Sequence, residues 1–444
     1  MKKIFLVLIA FIFKTATYSQ SLADTLDHYF SESEKAQIFN GSVKIVRNGK
    51  ILLDKGYGYS NVEKKSPNNA NTIFQIGSVT KQFTSTVILK LAEQGKLSVS
   101  DKLNKYFPGF TNADKITIEN LLTHTSGIYN YTNDTAFMQH DVEKAFNEQK
   151  LLDMIKDKPP GFEPGSKFSY SNSGYLLLGY IIEKVTGKKY EQVVREQIFV
   201  PLDMRNSGFD FTHLSNENKA TGYNSLNPPS KSLIVDSSVS FSAGAIYSTV
   251  EDMYKWNQAV ARGNTLKAAS LQNAFTPRLS KYGLGWGIDS LERKRLISHN
   301  GGIHGFLSSN SIIPEDSISI TILSNSGSAK MGRVQKDVYA ILYSKPYKLP
   351  ELNKEVAVDT TILKHYVGVY ELSPAFKITI SLVNGALKAQ ATNQQQVDLF
   401  AKSDSLFFLK VVDAQVEFVN NEKGVVDKLI LHQGGQSTPA SKIK

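Results

Sequence analysis

The sequence predicts an α/β protein in which an antiparallel sheet, packed with helices, carries a mainly helical insertion and is followed by a small all-β barrel or sandwich. Three observations predict this. Strand signals stand at both ends of the first 345 residues, helical periodicity fills the stretch between them, and the remaining residues turn to short alternating segments.

The elements follow in order. Residues Ser42 to Tyr59 read as two strands joined at Asn48-Gly49, a strong hairpin signal, with Val43 and Ile45 alternating before it. From about Ser78 to Val260 the pattern is helical, interrupted by Pro and Gly turns. Strand signals return at His299 and over residues 308–325, where Pro314-Glu315-Asp316 makes the turn. Both ends of this unit therefore supply one sheet. A polar, proline-containing linker is expected over residues 346–359. Beyond it, FKITISL, ALKAQA, SLFFLKV, AQVEFV and DKLILHQ are separated by turn residues, among them Asn384-Gly385, which predicts a separate all-β module over residues 360–444.

Composition closes several functional classes. With 41% hydrophobic and 10% aromatic residues, the 444-residue chain has ample apolar surface to bury. It contains no cysteine, so a thiolate nucleophile, a disulfide, an iron–sulfur cluster and a cysteine zinc site are all excluded. At the N-terminus two lysines precede ten apolar residues, Ile4 to Phe13, which are too few to span a bilayer. Residues 1–19 are thus expected to be a cleaved secretory signal, cut after Ser19, leaving an exported, periplasmic or extracellular protein with no stable membrane anchor. Removing Lys2, Lys3 and Lys14 takes the formal charge from +10 to +7. No basic run is clustered, so nucleic acid is not an expected partner.

Chemistry begins at Ser78-Val79-Thr80-Lys81. Ser78 is placed where a helix starts, with Val79, Phe83, Val87 and Leu91 on one stripe and Gly95 as the stop. Residues three apart share a helix face, so the Lys81 amine can reach the Ser78 oxygen. A serine hydroxyl needs a base to attack, and a lysine serves only when neutral, which demands burial or nearby positive charge. The string alone is weak, because Ser441 to Lys444 repeats it on the tail, and a helix N-cap would explain Ser78 as well. Tyr170-Ser171-Asn172 adds a phenol able to relay a proton and an amide able to hold the lysine and the substrate. Tyr59-Ser60-Asn61 and Tyr131-Thr132-Asn133 have the same pattern, and spacing does not choose among them. His299-Asn300-Gly301-Gly302 offers a cationic or donor side chain at a strand start, followed by glycines that would let a substrate backbone lie along the strand edge.

Together these residues resemble one family. TIFQIGSVTKQFT, LLTHTSGI, PGSKFSYSNSGYLLLGYIIEKVTG, IFVPLDM, FSAGAIYST, YGLGWG and SHNGGIHGF occur in the order found in serine β-lactamase-like proteins, a group holding class C β-lactamases, low-molecular-weight penicillin-binding proteins, D-aminopeptidases and esterases. The resemblance covers about residues 36 to 345 and implies the β-lactamase/transpeptidase-like fold. It implies Ser78 as the acylated nucleophile, Lys81 as its activating partner and Tyr170 as proton relay, which selects among the three tyrosines by analogy. It also implies Asn172, His299, Asn300, Gly301 and Gly302 as substrate-binding residues, with an oxyanion hole from the Ser78 and Gly302 backbone N–H groups. His124 of the HTSG string is expected to be structural. Asn300 stands where the family usually has Thr or Ser, a departure that puts carboxylate recognition in question. The C-terminal module is similar to the lipocalin-like domain of some members.

The expected function is an exported serine hydrolase acting through an acyl-enzyme on an amide or ester, foremost D-amino-acid-containing peptides of the cell wall. A carboxylesterase or β-lactamase of the same family is the alternative, and a non-catalytic ligand-binding protein that retains the pocket is the alternative of another class. No cofactor or metal is expected, since the eight histidines form no HExxH, and no GxSxG string appears. The expected partner is a small-molecule or peptide substrate, such as one derived from peptidoglycan.

Overall fold

A computed structural model describes residues 22–351, 355–410, 414–433 and 436–444; the expected leader and its cleavage site after Ser19 lie outside these residues. The chain forms two compact units, divided between Pro350 and Glu351.

The first unit is built on six antiparallel strands. They are β1 (Gly41–Arg47), β2 (Lys50–Tyr57), β3 (Gly287–Leu291), β4 (Lys294–Ile303), β5 (Phe306–Ile313) and β6 (Ile318–Ser324), in the order β2-β1-β6-β5-β4-β3. The N-terminal hairpin pairs with the last strand, from Gly41 against Ser324 to Arg47 against Ile318, so both ends of the unit close one sheet as expected. Asn48 and Gly49 take φ of 50° and 73°, the paired left-handed geometry of a tight hairpin turn. Edge strand β3 was not foreseen, because GIDSL is mostly exposed or half-buried and carries no clean alternation.

Strand parity sorts side chains between two helical layers. On one face, Val43, Ile45, Ile320 and Ile322 pack with a helix over residues 22–35 (α1) and with Met331–Leu342. On the other, Ile297, Ile312 and Leu323 pack with α2 (Thr80–Glu93), α3 (Asn172–Thr186) and α4 (Val250–Ala261). Met331–Leu342 is called α5 below. Although α2 reads as amphipathic, it is buried from Thr80 through Leu89 on every side. Its polar residues are matched internally: Thr84 donates to the Ser242 carbonyl at 2.6 Å, and Gln82 accepts from the Trp256 indole at 3.0 Å.

The second unit is a nine-stranded antiparallel sheet, which decides the barrel-or-sandwich alternative in favour of a nearly closed barrel. Its two terminal strands, Val397–Asp398 and Phe400–Ala401, are separated in sequence by Leu399 alone. Tyr370, Leu387, Val416, Phe418 and Leu429 fill its interior. The Asn384-Gly385 turn forms as expected, whereas the final strand, Gln436–Lys442, is too polar to have been recognised.

Candidate active site

Ser78 sits in a single 3₁₀ turn, Gly77–Val79, that runs directly into α2. No side chain caps either helical start, so Ser78 is not an N-cap and its hydroxyl is free for other work. Gly77 has φ of 50°, and a Cβ there would lie 2.9 Å from both the nitrogen and the oxygen of Gly302. The turn thus presses against the end of β4.

Lys81 is wholly buried beneath Ser78. Its Nζ lies 2.9 Å from Ser78 Oγ, 2.8 Å from Asn172 Oδ1 and 2.8 Å from the Ala243 carbonyl oxygen. None of these carries a charge, and burial holds the lysine pKa well below its ordinary value. Two carbonyl oxygens can only accept, so the amine donates to both; in its neutral form its lone pair is left for the one partner able to donate, the Ser78 hydroxyl. Asn172 is oriented for this by its own amide nitrogen, which donates to Thr132 Oγ1 at 3.0 Å, and by its backbone N–H, which donates to Asn130 Oδ1 at 3.1 Å. The Ala243 carbonyl was missed at the sequence level, because a backbone acceptor leaves no signature in residue type. It is presented by a kinked segment in which Phe241 adopts φ of 36°.

The string at 170–172 is the one that meets Lys81. Lys81 Nζ lies 4.9 Å from the Tyr170 ring centroid, and Ser78 is near enough to the Tyr170 phenol to lower its pKa slightly. Asn61, by contrast, donates to Thr221, and the buried Tyr131 hydroxyl donates to the Val239 carbonyl. Tyr170 is 37% exposed along its ring, yet its hydroxyl is surrounded by protein. Desolvation raises the phenol pKa above its ordinary value, against a smaller lowering from Ser78, so Tyr170 is neutral here.

His124 does more than the structural loop role expected of it. Its carbonyl accepts from Ser169 N–H at 2.9 Å and its Nδ1 accepts from Ser171 N–H at 3.1 Å, so one residue grips both neighbours of Tyr170. Its ring lies 4.2 Å from the Tyr170 ring, between centroids. Burial is the first cause that holds this histidine well below its ordinary pKa.

Strand β4 departs from expectation in two ways. His299 is buried and its pKa falls to about 3, chiefly through desolvation, so it is not a cation. Its Nδ1 lies 2.6 Å from the Asn300 carbonyl and must donate there, which leaves Nε2 to accept from the Tyr282 hydroxyl at 2.8 Å. Asn300 points away from Ser78. Residues 296, 298 and 300 share the α1/α5 face, and the Asn300 amide exchanges hydrogen bonds with Gln335 of α5, 3.3 Å each way. A period-two strand cannot turn both 299 and 300 into one cleft, a constraint readable in the sequence. Gly301 is required by the protein itself: a Cβ there would lie 2.1 Å from the Ile76 carbonyl oxygen. Gly302 is open, meeting only Leu307 at 3.5 Å. Pairing with β3 ends at Ser298, so among the described residues the segment 299–303 has a strand partner on one side only.

Beside Ser78 opens a cavity of about 90 Å³, lined by Tyr131, Thr132, Met138, Val235, Ile303 and His304 among others. A serine held by a buried lysine of lowered pKa beside a phenol, next to the end of a strand with a free edge, defines a serine hydrolase of the β-lactamase/transpeptidase-like fold.

Comparison with known proteins agrees. The family model described as Beta-lactamase matches residues 26–344, and a domain of unknown function, DUF3471, matches residues 352–442. The chain belongs to the beta-lactamase family. A penicillin-binding protein of Bacillus subtilis (strain 168) is 30% identical over 453 residues, covering 96% of this chain and 98% of the relative. Among solved structures, a D-stereospecific amidohydrolase from a Streptomyces species is 26% identical with a TM-score of 0.61, covering 71% of this chain and 99% of that one. The octameric penicillin-binding protein homologue from Pyrococcus abyssi shares the fold over 94% of this chain and 99% of its own, with a TM-score of 0.67 at 24% identity.

Proposed function

We propose that this hydrolase acts on amides or esters of D-amino-acid-containing peptides, of the kind found in cell walls. In this reading Ser78 Oγ attacks the carbonyl carbon while neutral Lys81 takes its proton. The oxyanion is received by the Ser78 and Gly302 backbone N–H groups. Tyr170, kept protonated by desolvation, relays that proton, giving its own to the leaving nitrogen or oxygen as the scissile bond breaks and taking the one held by Lys81 in return; water then attacks the acyl carbonyl, its proton passing back through the same groups to Ser78 Oγ as the acyl group leaves. Asn172 holds Lys81 and faces the substrate amide, and residues 299–302 line the cleft through their backbone. The observation that carries the reading is the buried Lys81 amine, 2.9 Å from Ser78 Oγ with no anion beside it. Similarity to a penicillin-binding protein and to a D-stereospecific amidohydrolase supports the substrate class.

The apolar run at residues 4–13 supports export, with residues 20–345 as the hydrolase and residues 360–444 as an accessory β module. Among the described residues no helix is long and apolar enough to cross a membrane. The test is labelling by a fluorophosphonate and by a fluorescent penicillin, compared between wild type and Ser78→Ala. Labelling that persists in the variant removes Ser78 as nucleophile. No labelling, with no turnover of p-nitrophenyl esters, nitrocefin or D-amino-acid peptides, would favour a binding protein instead.

A further inference from the structure

Both ring nitrogens of His299 are engaged within the protein: Nδ1 donates to the Asn300 carbonyl at 2.6 Å and Nε2 accepts from the Tyr282 hydroxyl at 2.8 Å. What these two bonds act on is the backbone beside Ser78. Strands β4 and β5 are joined by two residues, His304 and Gly305, and Ile303 faces Phe306 across the turn. A two-residue turn is closed by a hydrogen-bonded pair, and such pairs alternate with unbonded ones along an antiparallel ladder. Residues 303, 301 and 299 therefore direct their backbone groups at β5, whereas Asn300 and Gly302 direct theirs to the open side, beyond the last β3 pair at Ser298. The carbonyl that His299 holds thus belongs to the same open edge as the Gly302 N–H. Between them lies only Gly301, and glycine leaves the adjoining peptides free to turn. An imidazole N–H on the Asn300 carbonyl removes that freedom.

We propose that Tyr282 is a positioning residue of the reaction, acting through His299 on the edge of β4. Its hydroxyl donates to Nε2 and so keeps the single proton of the neutral ring on Nδ1; that tautomer caps the Asn300 carbonyl and steadies the Gly302 N–H facing Ser78. Without the hydroxyl the ring is free to carry its proton on Nε2, and a nitrogen lone pair would then meet the carbonyl oxygen of Asn300. Tyr282 is buried and is itself held in place: its carbonyl accepts from Arg278 N–H at 3.0 Å, and the Arg278 guanidinium donates twice to Glu119, at 3.1 and 3.2 Å. Its ring centroid lies 4.7 Å from that of His124 and 5.9 Å from that of Phe168, so the same side chain also packs against the support of Tyr170. The proposal rests on the reading of Ser78 as nucleophile with the Gly302 N–H as an oxyanion donor.

The experiment follows p-nitrophenyl acetate hydrolysis by the full chain as wild type, Tyr282→Phe, His299→Ala and the double variant. Tyr282→Phe removes one oxygen and keeps the ring; it is expected to lower kcat about tenfold with KM within about twofold, because a loosened oxyanion donor is felt in the transition state. His299→Ala is expected to lower kcat at least as much. The double variant should be no more than about twofold slower than His299→Ala, since the hydroxyl then has no imidazole to orient. Losses that multiply across the two positions assign Tyr282 to packing and overturn the proposal, as does a Tyr282→Phe kcat within about twofold of wild type. His299→Leu, closer in volume, completes the same cycle should His299→Ala fail to fold. Either result, with hydrolysis still abolished by Ser78→Ala, leaves the nucleophile standing; hydrolysis that survives Ser78→Ala overturns both readings.

Discussion

Gly301→Ala separates what glycine does for the fold from what it does for a ligand. The new methyl would lie 2.1 Å from the Ile76 carbonyl oxygen and 2.3 Å from Ser308 Oγ. Ile76 cannot step aside, because its carbonyl accepts from Ser308 at 2.8 Å and its N–H donates to the Ile246 carbonyl at 2.9 Å. The end of β4 must therefore retreat by about 1 Å from the turn that carries Ser78 to restore van der Waals contact. Overpacking of this kind costs about 1–3 kcal/mol of stability. Displacing the Gly302 N–H by about 1 Å from Ser78 is expected to lower kcat roughly 100-fold. Gly302→Ala meets only Leu307 at 3.5 Å, so its stability should stay within about 0.5 kcal/mol of wild type. Calorimetry of the full chain reads the transition of the unit that holds Ser78, and p-nitrophenyl acetate hydrolysis reads the site. A Gly301→Ala protein equal to wild type in both, or a Gly302→Ala protein destabilised as much as Gly301→Ala, would refute the packing argument.

Three further outcomes can be checked. Since Lys81 must be neutral to accept a proton and its pKa lies well below the ordinary 10.5, kcat/KM should fall as pH drops through that lowered value and hold level above it; activity that rises only near 10.5 contradicts a pre-neutralised amine. Lys81→Ala and Tyr170→Phe should each lower kcat with modest change in KM, and steady-state rates within about twofold of wild type would remove either from the proton path. His124→Ala should lower kcat by loosening the 169–171 segment, while His124→Asn, which tolerates the φ of 58° and keeps an acceptor, should recover part of the loss; equal kcat in the two variants argues against the clamp.

Much of the architecture was legible because its cues are local. Asn48-Gly49 and Asn384-Gly385 form tight turns for the reason any such pair does, and Gly187, at φ of 68°, stops α3 where the pattern ends. Edge strand β3 and the interior strand Gln436–Lys442 were not legible, since half-exposed polar strands draw their stability from neighbours rather than from their own composition. In the site, Ser78 and Lys81 follow from helix spacing, but their meeting with Asn172 and Ala243 spans 91 and 162 residues of chain and is visible only in the fold. Asn300 was misread for a different reason: its place in a motif was given more weight than its parity in a strand. The charge of His299 could not be read at all, because it depends on Tyr282 and on burial that no string of residues announces.

The C-terminal barrel nearly meets itself at one buried leucine. Leu399, whose N–H donates to the Leu387 carbonyl at 2.9 Å, joins two terminal strands of only two residues each. A foreign strand arriving at either margin would find scarcely one rung of ladder to grip, too little to nucleate pairing. Edge-to-edge pairing through these two margins is thereby disfavoured, for a foreign strand and for a copy of the chain alike.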